Sequence, residues 1–212
     1  MNVWSAVWIT ALLAVATPAA AQTPHFDHRV RLLRELQAFN ADLLRHDSAT
    51  VVLQALCDRR APGQKIVARK ATWDPEDGAL EAARTDLGVS RDALVRYRQV
   101  ELTCGGEVLS SAENWYLPGR LTAQMNRVLE ETDTPFGVVV RALQFRRRTL
   151  ASTFLFEPLP DGWEREPPAT YDAMASPPPH VLQHRAVLAT PDGRPFSLVV
   201  ETYTEWVLAS SR

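Results

Sequence analysis

The chain has 212 residues, 46% of them hydrophobic and 23% charged, with a formal net charge of −2. Charges of both signs are interspersed, so no basic stripe marks a nucleic-acid partner and no acidic tail marks a scaffold. Two cysteines and five scattered histidines give no zinc or haem spacing, and no metal or other cofactor is implied.

From Met1 to Ala21 no side chain is charged, Val3 to Val15 is almost wholly apolar, and Pro18 precedes Ala19-Ala20-Ala21. This pattern reads as a secretory signal peptide over residues 1–21 with an Ala-x-Ala cleavage site, too short for a comfortable membrane span. The expectation is therefore a periplasmic or secreted protein that meets the membrane only transiently, through its leader. Residues 22–212 suit a single domain, expected to be a monomer and large enough to bury a core without metal or disulfide staples.

Phe26, Val30, Leu33, Leu36, Leu43 and Leu44 recur near a period of 3.6 and predict a helix over 26–45. Asp47-Ser48 is an N-cap signal for a second helix carrying Val51, Val52, Ala55 and Leu56, which Arg59-Arg60-Ala61-Pro62-Gly63 closes. Residues 64–73 alternate as a strand. Residues 74–92 read as a polar loop with one helical turn near Glu81–Arg84. Two β-rich runs, 93–103 and 107–117, flank Gly105-Gly106 and make a hairpin. Leu121, Met125, Val128 and Leu129 form an amphipathic helix. Thr134-Pro135-Phe136-Gly137 then interrupts before an apolar helix over 138–143.

The run Arg146-Arg147-Arg148 reads as a solvated helix end, followed by a strand over 148–157. The prolines at 158, 160, 167, 168 and 177–179 make the next segment a long surface loop or flap. A closing hairpin joins 181–189 to 196–208 through Pro191-Asp192-Gly193. Strands linked as hairpins outnumber helices. The fold class is therefore α+β, a mostly antiparallel sheet with helices packed on one side. Cys57 falls on a helix and Cys104 beside a turn, which leaves open either a disulfide or two buried thiols.

Four stretches in this order resemble the chorismate pyruvate-lyase family: Leu43 to Thr50, the hairpin from Tyr97-Arg98-Gln99-Val100-Glu101-Leu102 to Trp115-Tyr116-Leu117-Pro118, Thr134-Pro135-Phe136-Gly137, and Asp192-Gly193-Arg194-Pro195 with Val200-Glu201-Thr202-Tyr203. The resemblance covers residues 40–208. It extends to the ligand-sensing domains of some bacterial transcription regulators, which share the chorismate lyase-like fold, and Glu113 is as much like that branch.

The resemblance implies cofactor-free elimination of pyruvate from chorismate or a related compound, giving a hydroxybenzoate such as 4-hydroxybenzoate. The alternative is a non-catalytic periplasmic module that binds a small aromatic or acidic ligand. By the same resemblance Arg98 would bind the carboxylate of an aromatic ligand, since a guanidinium pairs bidentately with a carboxylate. Glu201 would face the opposite end and assist proton transfer. Phe136 and Gly137 would contribute to substrate binding. So would Ala49, which stands where the family carries methionine; Glu205 stands where a proline usually follows the acidic strand. Read from the residues alone, Arg98 and Arg96 share a strand face and either suits solvent. Glu201 on an outward face would be ordinary, and Phe136-Gly137 is a packing residue with a turn glycine.

Overall fold

The computed structural model describes residues 24–208. The expected leader, residues 1–21, lies outside the described residues.

Helix α1 (Pro24–Arg45) runs from the first described residue. Its buried side chains Leu32, Leu36, Phe39 and Leu43 step by four, three and four, which makes one apolar stripe. Helix α2 (Ala49–Arg60) buries Val52, Leu53, Leu56 and Cys57. Strand β1 (Val67–Lys70) is shorter than the predicted 64–73, and α3 (Ala79–Leu87) replaces the expected single turn. Strands β2 (Arg96–Cys104) and β3 (Glu107–Tyr116) form the predicted hairpin. Gly105 and Gly106 both hold positive φ, 59° and 98°, as a tight hairpin turn demands.

Helix α4 (Ala123–Glu131) is capped by Thr122, whose Oγ1 accepts from the Met125 N–H at 3.1 Å. The four residues of α5 (Phe136–Val139) continue as a 3₁₀ turn, Val140–Leu143. Strand β4 (Arg146–Phe154) follows. It takes in all of Arg146-Arg147-Arg148, so the expected solvated helix end is corrected to the start of a strand. Strands β5 (His180–Ala189) and β6 (Pro195–Thr204) complete the sheet, with a 3₁₀ turn at Glu205–Val207 where the last strand had been expected to run on.

All five pairings are antiparallel, in the order β1-β2-β3-β6-β5-β4. The α+β class and the antiparallel sheet expected from the sequence are thus found. One sheet face carries Val100, Leu102, Ala112, Leu182 and Tyr203 against α1 and α2. The same face carries Tyr116, Ala186, Leu188 and Val199 against Met125, Leu129, Phe136 and Val140. The alternate residues Trp115, Leu117, Val187 and Leu198 point the other way and are covered by Ala83 and Leu87 of α3. One helix therefore lies on the face opposite the other four.

Cys57 and Cys104 form a disulfide, with Cα atoms 5.8 Å apart, which ties α2 to the end of β2. The proline-rich segment is a surface connection with two 3₁₀ turns, Trp163–Arg165 and Pro168–Tyr171. It is held to α1 by Arg29, which donates to the Ala173 and Pro158 carbonyls, and by Phe26 packing on Trp163 and Tyr171. Among the described residues no helix is long and apolar enough to cross a membrane.

Candidate functional site

The site lies where the α1–α2 junction, the start of α5 and the start of β4 close over the sheet. Asp47, Ser48, Ala49 and Thr50 form one wall, Phe136 and Gly137 a second, and Phe145 and Arg147 a third. The sheet supplies the floor through Asn114, Val199 and Glu201. They share it because each occupies an inward position of its strand: Ala112, paired with Glu201, and Asn114, paired with Val199, alternate on β3. The cavity measures about 30 Å³. That is room for a water molecule or two, and far less than a benzene ring with a carboxylate needs.

At one end Arg147 Nη2 donates to Glu201 Oε2 at 2.7 Å, with side chains only 4% and 10% exposed. The Tyr203 hydroxyl donates to the same oxygen at 3.1 Å. Burial pushes the Arg147 pKa down, but the Glu201 carboxylate outweighs it and holds the guanidinium charged, above its usual range. Burial and the Glu201 charge raise Tyr203 well above an ordinary phenol, so it stays a donor. Arg147 Nε has no hydrogen-bond partner among the described residues.

Asp47 is fully engaged: Oδ1 accepts the Arg147 backbone N–H at 2.9 Å and Oδ2 accepts from Arg146 at 3.0 Å. This fastens the α1–α2 junction to β4. Beside the pair sits His184, cross-strand from Glu201, with Nε2 against Asn40 Oδ1 at 2.7 Å and Nδ1 buried without a partner among the described residues. Burial, then the Arg147 charge, lower its pKa to about 4 against the opposing pull of Glu201.

The other end holds polar groups that no described residue satisfies. Ser48 stands at the N-cap of α2 but its hydroxyl makes no cap bond, so the first-turn N–H groups lack a side-chain cap. Asn114 is 3% exposed, and its side chain makes no hydrogen bond to any described residue. Gly137 brings α5 close: a Cβ there would lie 3.0 Å from Ser48 Oγ and 3.3 Å from Thr50 Oγ1.

Of the residues singled out in the sequence, Glu201, Phe136, Gly137 and Ala49 meet in this one cavity. Arg98 does not line it. Its Nε donates to the Leu129 carbonyl at 3.2 Å and its Nη2 to those of Thr132 and Thr134, which caps the C-terminal end of α4. The arginine at the cavity is Arg147, which the sequence pattern assigned to a solvated helix end. No alternation of period two runs through 146–154, and the pairing with β5 is interrupted by a bulge between Thr149 and Ala151, so three consecutive arginines gave no sign of a strand. Among the described residues no group of three or more histidine, cysteine or acidic side chains could hold a metal ion.

No family model matches the sequence. The chain is 44% identical over 185 residues to the uncharacterized protein y4mC of Sinorhizobium fredii (strain NBRC 101917 / NGR234), a match spanning 85% of this chain and 78% of that one. Among solved structures it is similar to the effector domain of PhnF from Mycobacterium smegmatis, with a TM-score of 0.46, 18% identity, and 74% and 88% of the two chains covered. It is also similar to the possible transcriptional regulator YydK from Bacillus subtilis, with a TM-score of 0.41, 15% identity, and 67% of this chain and 59% of that one covered. The expectation of a periplasmic or secreted location is corrected here. Solved chains sharing the fold are named as transcriptional regulators, and residues 1–21, from which export was read, lie outside the described residues.

Proposed function

The chain belongs to one family with the rhizobial protein y4mC, and we propose that it is a small-molecule-binding domain whose ligand occupies the cavity between the N-terminus of α2 and the sheet. One observation carries this reading: Asn114 and Ser48 line one cavity, and their side chains make no hydrogen bond to any described residue. Buried polar groups are almost always paired, and a cluster of unpaired ones is what a ligand with matching donors and acceptors would satisfy.

The charges define the ligand further. Glu201 is paired with Arg147 and Asp47 with Arg146, so the lining offers no unpaired cation for an anion to meet. A compact neutral or zwitterionic molecule rich in hydroxyl or amide groups suits this better than a free carboxylate, which would sit against two others. Phe136 and Phe145 supply apolar walls for its carbon skeleton. At about 30 Å³ the cavity admits any such ligand only when its walls move apart, and an aromatic carboxylate such as 4-hydroxybenzoate requires the larger movement.

The lyase reaction stays as a second reading because Glu201, Phe136, Gly137 and Ala49 come together as the resemblance implies. It is the weaker one. Chorismate carries two carboxylates, and the lining guanidinium, Arg147, is already engaged by Glu201.

One experiment separates the two. Thermal shift and calorimetry with polyols, amino acids and hydroxybenzoates would find a ligand whose binding Asn114→Leu abolishes without loss of fold. Pyruvate release from chorismate, lost in Glu201→Gln, would instead establish the lyase. An Asn114→Leu protein that is stabilised while the parent binds nothing would overturn the binding reading.

A further inference from the structure

The bridge between Cys57 and Cys104 joins two elements that face each other across the ligand cavity. Cys57 lies on α2, whose first residues, Ala49 and Thr50, form a wall of that cavity. Cys104 ends β2, whose Val100 and Leu102 belong to the lining on the sheet side. The bridge therefore cross-links wall to floor. A domain of this size buries its core without staples, and α2 packs through Val52, Leu53 and Leu56 whatever the state of the sulfurs. We infer that the bridge is a thiol–disulfide exchange site, and that its reduction by a dithiol releases α2 as the movable wall of the cavity.

Access comes first. Both cysteines line a cleft of about 190 Å³ between the end of α2 and the β2–β3 turn, together with Leu56, Arg60, Glu107 and Leu109. Cys57 is fully buried and Cys104 is 7% exposed, so it is Cys104 that the cleft offers to a reagent. Gly105 and Gly106 follow it, and the turn contributes no side chain to cover it. The chain has two cysteines, both in the bridge, so no resolving thiol comes from within. A reductant that completes the exchange by itself is a dithiol. One of its thiolates attacks Cys104 Sγ and expels Cys57 Sγ as a thiolate, which takes up a proton. The second thiol then displaces Cys104 from the mixed disulfide. Two electrons and two protons pass to the protein, which gains two thiols, and the reductant leaves as a disulfide.

What else holds α2 decides the effect. A cavity of about 30 Å³ admits a ligand only when a wall moves. The wall at Arg147 is part of the sheet, so it is not free to swing. The first turn of α2 is held lightly by comparison, since Ser48 gives it no side-chain cap. Cys57 stands seven residues beyond Thr50, about 10 Å along the helix axis. Near that end Arg60 Nη2 donates to the Val207 carbonyl at 3.1 Å, and Gln54 Oε1 accepts from the Ile66 N–H at 2.9 Å. Hydrogen bonds of this kind break and re-form as a helix tilts, and a covalent bridge does not. With the bridge closed, the first turn can lift only by bending the helix or by carrying the hairpin with it. That α2 gates a ligand rests on the reading of the cavity given above, whereas the exchange chemistry stands apart from it.

The test compares the full chain, oxidised, with the same chain after dithiothreitol under native conditions. Iodoacetamide labelling is counted by mass spectrometry, and amide exchange is read peptide by peptide. Both cysteines should be labelled without denaturant, with the circular dichroism spectrum retained. Exchange over residues 48–56 should quicken about tenfold or more, while residues 181–204 keep their rates. Cys57→Ser/Cys104→Ser should exchange like the reduced parent with or without dithiothreitol. A bridge that opens only in denaturant overturns the inference, and so does reduction that leaves residues 48–56 unchanged. A reduced chain whose exchange rises equally over 181–204 also overturns it, because the bridge is then a staple of the whole fold. Should Cys57→Ser/Cys104→Ser fail to fold, the dithiothreitol comparison on the parent decides by itself. The ligand reading fails separately: a reduced chain with α2 loosened that binds no polyol, amino acid or hydroxybenzoate overturns that reading and leaves the exchange site standing.

Discussion

Replacing Arg147 by methionine is expected to destabilise the fold far more than replacing Arg147 and Glu201 together. The guanidinium and the carboxylate meet at 2.7 Å with side chains almost wholly withdrawn from solvent. At an effective dielectric of 20 and a charge separation of ~4 Å, their attraction is about 4 kcal/mol. Desolvating two ions costs several kcal/mol each, so the intact pair contributes little net stability. Removing Arg147 alone leaves Glu201 buried with only the Tyr203 hydroxyl, 3.1 Å away, as a partner. A loss of about 3–5 kcal/mol follows, a large part of the roughly 5–15 kcal/mol a domain has in total. In Arg147→Met/Glu201→Leu no charge remains uncompensated, and most of that loss should return. Urea denaturation of the parent, both single variants and the double variant, followed by circular dichroism, gives the coupling energy directly. A single variant that costs under ~1 kcal/mol, or a double variant equal to the sum of the singles, would refute the reasoning.

The remaining predictions use the same assay. His184 has its pKa lowered to about 4 by burial, against about 6.5 when unfolded, so the unfolded chain takes up a proton first as pH falls. Its contribution is therefore fully present above about pH 6.5 and lost on the way down to pH 4, by about 3 kcal/mol, and His184→Gln should flatten that slope. The Cys57–Cys104 bridge closes a loop of 47 residues. By loop-closure entropy, Cys57→Ala/Cys104→Ala should lower stability by about 4 kcal/mol, and a parent insensitive to reductant would count against the bridge. Gly137→Ala should displace the Ser48 and Thr50 hydroxyls it would crowd. The expected result is a fold within about 1–3 kcal/mol of the parent but weakened ligand binding, measured by calorimetry.

Much of this fold was legible before any coordinates. The helical period read through Phe26, Leu36 and Leu43 matches buried positions of α1, although Leu32 and Phe39 complete the stripe and Leu44 is exposed, and Gly105-Gly106 admits the positive φ a tight hairpin requires. Such signals are local, because they depend on backbone sterics and on which face of one element is apolar. Local reasoning also placed Glu201 on a β-rich strand, and Phe136, Gly137 and Ala49 on two segments that proved to be neighbours.

The identity of the cavity's arginine was a different matter. Arg98 and Arg147 both point inward from strands, and their sequence neighbours do not say what each will meet. Arg98 is captured by the carbonyls that end α4, and Arg147 is captured by Glu201 because β4 pairs with β5 in a register that puts Arg147 opposite Leu188. The α3 helix similarly became nine residues only because Ala83 and Leu87 find an apolar sheet face to cover. Periodicity sets which side of an element is buried. Which partner waits on that side depends on contacts between residues tens of positions apart, and those exist only once the sheet has closed.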